Sequence, residues 1–308
     1  MPRYIARRLA QVVVVFLGST FLIFAMVFAL PGDPIKALAG NHAVSPSVEQ
    51  ELRGRYHLDE PLIQQYVQYM GRVLHGDLGT SFQGRPVSTM ITEDWPVTAT
   101  LALSAWVLEV VFGVGLGLWA AVKVGSFVDR GSLVFSTAVI AVPIFVVGYV
   151  LQIVFGINLG WFPTSGVEAG WPTAYVLPAI TLALFGVATV SRVTRASLRE
   201  NLRSDAVRTA VAKGLPRRLV IGKHALRNSL IPVVTFVGVD LGLLMGGVVL
   251  VEGIYNLPGI GNELFRAIGT KDGPVVVGLS TLIVLLFLVI NLVVDLVYAL
   301  IDPRIRYA

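Results

Sequence analysis

Hydrophobic positions along this chain fall in long unbroken blocks, and the stretches between them hold nearly all the charge. Leu9 to Leu30 carries no charged side chain, nor does Gly131 to Val167 or Ala169 to Ser191. A membrane span needs about 20 apolar residues. Six blocks qualify: Leu9–Leu30, Val97–Val122, Leu133–Ile157, Ala174–Ser191, Leu230–Val251 and Val275–Ile301. In lipid their backbone groups must be satisfied internally, which leaves helices or a closed barrel. The blocks are continuously apolar and do not alternate, which excludes barrel strands. The pattern predicts an all-α polytopic membrane protein with six transmembrane helices. Pro143 and Pro178 fall inside spans three and four, where a missing amide donor predicts kinks.

Composition narrows the class. Of 308 residues, 55% are hydrophobic and 14% charged, against about 25% charged in soluble domains. Mean hydropathy is +0.75. So few charges cannot cover a water-soluble globule, which excludes a soluble enzyme. They also exclude a nucleic-acid binder, despite the net charge of +5. The absence of Cys excludes a disulfide scaffold and thiolate ligation. His42, His57, His75 and His224 form no close ligand pair, so no metal site is expected. The first span is longer than the ~7–15-residue core of a signal peptide. Pro31-Gly32-Asp33-Pro34 follows it in place of a small-residue cleavage site, so it reads as a span.

Charge sets an expected orientation. The N-terminal segment, the links after spans two and four, and the C-terminal tail hold 17 of the 24 Lys and Arg residues. The positive-inside rule places these in the cytoplasm, with both termini. The chain then divides into residues 1–30, an external region 31–96, and a five-helix core 97–308. In the external region, Ser45-Pro46 opens a helix through Val48, Leu52 and Tyr56. Pro61 opens a second, with Leu62, Ile63, Tyr66, Val67, Met70 and Val73 on one side. Trp95, Trp161 and Trp171 flank spans on the outer side as interfacial anchors do.

The internal stretch 192–229 is the most informative. Ten basic residues there face only Glu200 and Asp205. Ser204 or Asp205 can cap a helix through Val207, Ala210 and Val211. Gly214 can close it in the left-handed conformation, and Pro216 can open a second helix through Leu219, Val220, Ala225 and Leu226. Such a helix–glycine–helix hairpin suits transmission of force from a soluble protein. A basic amphipathic pair on anionic lipid has the same periodicity, so both readings stand at this point.

Motifs add a resemblance. Asp205-Ala-Val-Arg-Thr-Ala-Val-Ala-Lys-Gly214-Leu-Pro, followed by His224-Ala-Leu-Arg-Asn-Ser-Leu-Ile-Pro232, resembles the EAA loop of ABC importer membrane subunits, with Asp205 for Glu and Val207 at the second Ala. Leu30-Pro-Gly-Asp-Pro34, Gly76-Asp-Leu-Gly-Thr-Ser81, Glu252-Gly-Ile-Tyr-Asn-Leu-Pro-Gly-Ile-Gly261 and Asp302-Pro-Arg-Ile-Arg306 resemble the peptide-permease branch. The chain is similar to the first permease subunit of dipeptide and oligopeptide importers over nearly its whole length.

The resemblance implies a second homologous permease, two cytoplasmic ATPases that bind ATP and Mg, and an external peptide-binding protein. It implies no cofactor on this chain and no enzyme activity of its own. It assigns ATPase coupling to Asp205, Ala206, Arg208, Ala210, Lys213, Gly214, Leu215, His224, Arg227, Asn228 and Pro232. Relatives in this branch carry dipeptides, longer peptides, nickel chelates or haem. A GxxxxGK[ST] phosphate loop is absent, and the glycines Gly113, Gly115 and Gly117, like Gly246 and Gly247, read as close helix packing.

Glu109, Asp240 and Asp295 lie inside spans, where charge is costly and function is the default suspicion. Glu109 and Asp240 can line a polar path that meets a peptide's amino terminus, or can join two helices by hydrogen bonding. Asp295 is expected to pair with Arg304, Arg306 or an N-terminal arginine. Gln152, Asn158 and Asn291 are expected to bond between helices. A secondary transporter would show inverted repeats and broken helices. No internal repeat is evident, and the basic hairpin has no part in that alternative.

Overall fold

The computed structural model describes residues 2–28 and 59–301, together with positions 47, 50, 53 and 54. Side chains are described as far as residue 296. Most of the predicted helix from Ser45, the stretches Leu30–Pro34 and Asp302–Arg306, and His42 and His57 lie outside the described residues. Among the described residues, ten helices of eight or more residues follow in order: α1 Pro2–Phe28, α2 Leu62–Leu74, α3 Val87–Val122, α4 Phe127–Ala141, α5 Ile144–Leu151, α6 Val176–Asn201, α7 Asp205–Ala212, α8 Leu226–Tyr255, α9 Ile260–Thr270 and α10 Gly273–Ile301. No strand occurs among the described residues, only an isolated bridge between Thr80 and Pro86. Among the described residues, five helical stretches are long and apolar enough to cross a membrane, and the bent pair α4–α5 makes six if read as one span.

That bend corrects the predicted third span. The chain turns by 104° between Phe127–Ala141 and Ile144–Asn158, where Val142 and Pro143 are both extended. Proline denies α5 an amide at its start and disfavours helix in the residue before it. A mild kink thus becomes a break. Pro178 behaves differently. It is the third residue of α6, where a missing amide costs nothing because first-turn amides have no intrahelical partner. The predicted kink there is absent. Span two also starts earlier than predicted: α3 begins at Val87 and continues past Pro96.

The chain forms two compact units, residues 1–98 with 257–308, and residues 99–256. In the first, α1 packs on α10, and α2 lies against α1 through a cluster of Phe24, Tyr69 and Val277. Tyr69 donates to Thr281 Oγ1 at 2.9 Å. Burial pushes its phenol up to about 12, so the hydroxyl remains a donor. Tyr66 donates to the Leu17 carbonyl at 2.9 Å. The inner face of α2 therefore runs through Leu62, Tyr66, Tyr69, Met70 and Val73. Ile63 and Val67, expected on that face, are more than 60% exposed. Tyr66 is inside as expected, and Tyr69 takes the place beside it because its ring buries apolar area and its hydroxyl finds a partner.

Two of the family-like stretches gain a physical reason in this unit. The buried Asp272 accepts from Ser81 Oγ at 2.5 Å, while the amides of Phe82 and Val275 approach at 3.5 Å. Gly278 on α10 leaves room for the Leu78 carbonyl, which would lie 2.6 Å from a Cβ there. Gly76–Ser81 thus rides on the start of α10. Ile260 donates its amide to Thr98 Oγ1 at 2.9 Å, and Asn262 Nδ2 reaches the Leu257 carbonyl at 2.9 Å. Asp295 pairs with Arg8 at 3.2 Å, the N-terminal arginine among its expected partners.

The second unit is built on a seam between α3 and α6. Glu109, Gly113, Gly117 and Ala121 recur every fourth residue on α3, and Gly186, Val190, Thr194 and Leu198 do so on α6. They meet in that order. A Cβ on Gly113 would lie 2.7 Å from Val190 Cβ, and one on Gly117 would lie 2.6 Å from Thr194 Cβ. Ala121 and Leu198 share a buried cluster. The two helices therefore run in the same direction, with backbones closer than side chains would permit. Trp106 donates its indole N–H to the Val237 carbonyl at 3.0 Å, tying α3 to α8. Tyr255 donates to the Gly148 carbonyl at 3.1 Å and meets Thr181 Oγ1 at 2.9 Å. Gln152 bonds between elements as expected, to the carbonyls of Thr164 and Ile254. In the first unit Asn291 does not, since it bonds Phe287 within its own helix.

Candidate coupling surface

The hairpin expected at 204–226 is present. Ser204 occupies the N-cap of α7 with extended backbone. Its hydroxyl donates to the Asn201 carbonyl at 2.7 Å and does not bond an α7 amide. Asp205 is the first helical residue, and its side chain is 97% exposed, with Arg208 at 3.5 Å. Neither residue caps through its side chain, so the expected capping role is corrected. Asp205 still places negative charge at the positive end of the helix dipole.

The end of α7 is a complete left-handed cap. Gly214 has φ +75°. Its amide bonds the Val211 carbonyl at 2.9 Å, and the Leu215 amide bonds the Ala210 carbonyl at 3.3 Å. This nested pair satisfies two otherwise orphaned carbonyls. Leu215 packs against the cluster that contains Ala210, as the motif requires. Pro216 then restarts the helix, with its carbonyl accepting from Leu219 and Val220. The second helix of the hairpin does not stand alone. Arg217–Leu219 passes through a π-helical turn, Val220–Ala225, directly into α8. Pro232 lies inside that long helix.

Each hairpin face has a different character. Val207 and Ala210 are buried with Ala121, Leu198, Val220 and Ala225. Four elements, α3, α6, α7 and the π-helical turn, thus meet on one apolar patch. The opposite face exposes Asp205, Ala206, Arg208, Lys213 and Gly214. Arg227 and Asn228 are exposed beyond the turn, and His224 and Leu215 are half-buried. A groove of about 360 Å³ opens beside α7, lined in part by Val207, Val211, Leu215, Arg217 and Ile221. Val211 is 60% exposed at its edge. A polar rim around a shallow apolar groove is a surface that a soluble partner can seat on.

The intramembrane acids separate. Glu109 is fully buried at the head of the α3–α6 seam. Neither of its oxygens has a hydrogen-bond partner among the described residues. Its carboxyl lies against Gly186 and faces that of Asp240. Asp240 lines a cavity of about 310 Å³ with Thr181, Gly186 and Gly247. The structure therefore brings the two acids together, while the cavity is bounded by Asp240 and not by Glu109. No group of three or more His, Asp or Glu side chains able to hold a metal occurs among the described residues.

Sequence reasoning missed Asp129. It is buried, and its Oδ1 accepts from Arg195 Nε at 2.5 Å. Its Oδ2 accepts from the Gly125 amide at 2.8 Å and faces Arg199 at 3.5 Å. Its own amide donates to Ser126 Oγ at 3.3 Å. The Ser126-x-x-Asp129 spacing is a capping signal that could have pointed to the turn, though not to the arginines.

Comparison with known proteins agrees with this architecture. Residues 113–307 match the family described as binding-protein-dependent transport system inner membrane component. Residues 1–102 match the N-terminal family of the same membrane components. The chain is 39% identical to the di/tripeptide transport system permease protein DppB of Pseudomonas aeruginosa, over all of this chain and 99% of the relative. It is 39% identical to a probable peptide ABC transporter permease protein of Sinorhizobium fredii and to the glutathione transport system permease protein of Escherichia coli, each over the full length of both chains.

Proposed function

Because the chain belongs to the binding-protein-dependent transport system inner membrane components, we propose that it forms, with a second homologous permease, the path by which an ATP-driven importer admits dipeptides or short oligopeptides. It is a multi-pass inner-membrane transport subunit, and its family works with ATPase and binding-protein partners. In this proposal two cytoplasmic ATPases hold the ATP and Mg and seat on the α7 hairpin, and both termini are cytoplasmic. An external protein delivers the peptide. The peptide cargo rests on the full-length likeness to permeases named for di/tripeptides, peptides and glutathione.

One observation carries the coupling role. The hairpin buries Val207 and Ala210 against the ends of α3 and α6 while its polar face stays free. A partner seated on the outer face can therefore push on two spans at once. Ala206, Arg208 and Lys213 supply contacts there, and Gly214 and Leu215 hold the shape. Glu109 and Asp240 are proposed as the polar element beside the path, with Asp240 at the cavity. The test is reconstitution of the chain with its partners in nanodiscs and uptake of a peptide-length series. Uptake that requires ATP and the external protein, and prefers two or three residues, supports the reading. Uptake driven by an ion gradient without ATP would overturn it.

A further inference from the structure

We propose that Asp129 is a positioning residue for energy coupling: it binds the start of α4 to the stretch of α6 on which the hairpin sits, so that α4 moves with the hairpin. The inference rests on the coupling reading above.

Its basis is the convergence of two contacts on one turn of α6. Arg195 and Arg199 are four residues apart and both face Asp129. Leu198, between them, is fully buried with Val207 and Ala210 of α7. Residues 195–199 therefore hold the hairpin with one side chain and the link between α3 and α4 with two others. The carboxylate of Asp129 spends its remaining bonding capacity on the Gly125 amide, and Ser126 holds the Asp129 amide. The acid is thus fixed in its own turn as well as to α6. Apolar packing between α4 and α6 supplies adhesion without direction. A buried pair with a short, charge-assisted bond supplies a defined point of attachment, and it stands at the end of α6 that the hairpin touches.

The arrangement accounts for a feature that packing alone leaves unexplained. The link before α4 is short and leaves Val124 and Phe127 exposed, yet Asp129 in the first turn of that helix is only 6% exposed. A charge is withdrawn from water only where partners compensate it, and here both partners belong to the hairpin's seat.

The test uses the complete complex in nanodiscs: this chain, its second permease, the ATPases and the binding protein. Two quantities are read, the ATPases retained per permease and the stimulation of hydrolysis by binding protein with peptide. Wild-type complex that retains no ATPase would overturn the coupling reading and this inference with it. With Asp129→Asn, ATPase retention should match wild type while stimulation falls at least fivefold. Arg195→Lys keeps the charge and loses the guanidinium fork, and should show an intermediate loss. Wild-type stimulation in Asp129→Asn overturns the proposal. So does a parallel loss of ATPase retention and stimulation, which would mark a residue needed only for folding. Should Asp129→Asn fail to accumulate, Arg195→Lys decides by the same criteria.

Discussion

The carboxyl of Glu109 occupies the space that a side chain on Gly186 would fill: a Cβ there would lie 2.2 Å from Glu109 Cδ. The acid and the glycine are complementary halves of one contact. Gly186→Ala must therefore displace the carboxyl or spread α3 from α6. Overpacking of this kind costs about 1–3 kcal/mol, and its expected readout is a lower thermal midpoint in detergent. Glu109→Gln keeps the volume. It should assemble normally and change uptake only modestly. Abolished uptake with normal ATPase binding in Glu109→Gln would instead place this side chain in the path itself.

At the far end of the seam, Gly214→Val and Asp205→Lys should both weaken ATPase docking, by different routes. Valine at φ +75° carries a backbone penalty of about 1 kcal/mol or more and opens the nested cap that Leu215 completes. Lysine at 205 leaves that cap intact. It reverses an exposed charge at the positive end of the α7 dipole. Limited proteolysis of the hairpin should therefore accelerate in Gly214→Val and stay unchanged in Asp205→Lys. Copurified ATPase and stimulated hydrolysis should fall in both. Full coupling in both variants would leave the basic face of the hairpin to lipid.

Orientation can be read with single cysteines, because the chain has none of its own. A cysteine at Ser47 should react with an impermeant maleimide in intact cells, and one at Ser204 should react only after lysis. The opposite pattern would invert the topology inferred from charge.

The spans were legible because lipid imposes a demand that composition alone can meet, and the hairpin was legible because Gly214 and Pro216 act locally. Asp129 was not, since its arginines lie 66 and 70 residues further along the chain. Only the fold brings them together. The break at Pro143 shows an intermediate case. Proline marks the place, while the size of the turn depends on what α5 packs against, including Ile254 and Thr181 beside Gly148. On α2, apolarity alone places Ile63 and Val67 inside, where the structure leaves them exposed. Tyr66 lies on the inner side as its spacing predicts, while Tyr69 joins it through a hydroxyl partner, Thr281, that no periodicity records.

The seam between α3 and α6 works like a rack meshed with a second rack. Its teeth repeat every four residues, and with a rise of about 1.5 Å per residue one helix cannot slip on the other by less than roughly 6 Å. In the coupling reading, a thrust at Leu198 smaller than that step would be carried along the seam to Gly186. In the coupling reading proposed above the two spans would act as a single piston rod, with the right-angled elbow at Val142–Pro143 as the joint outside it.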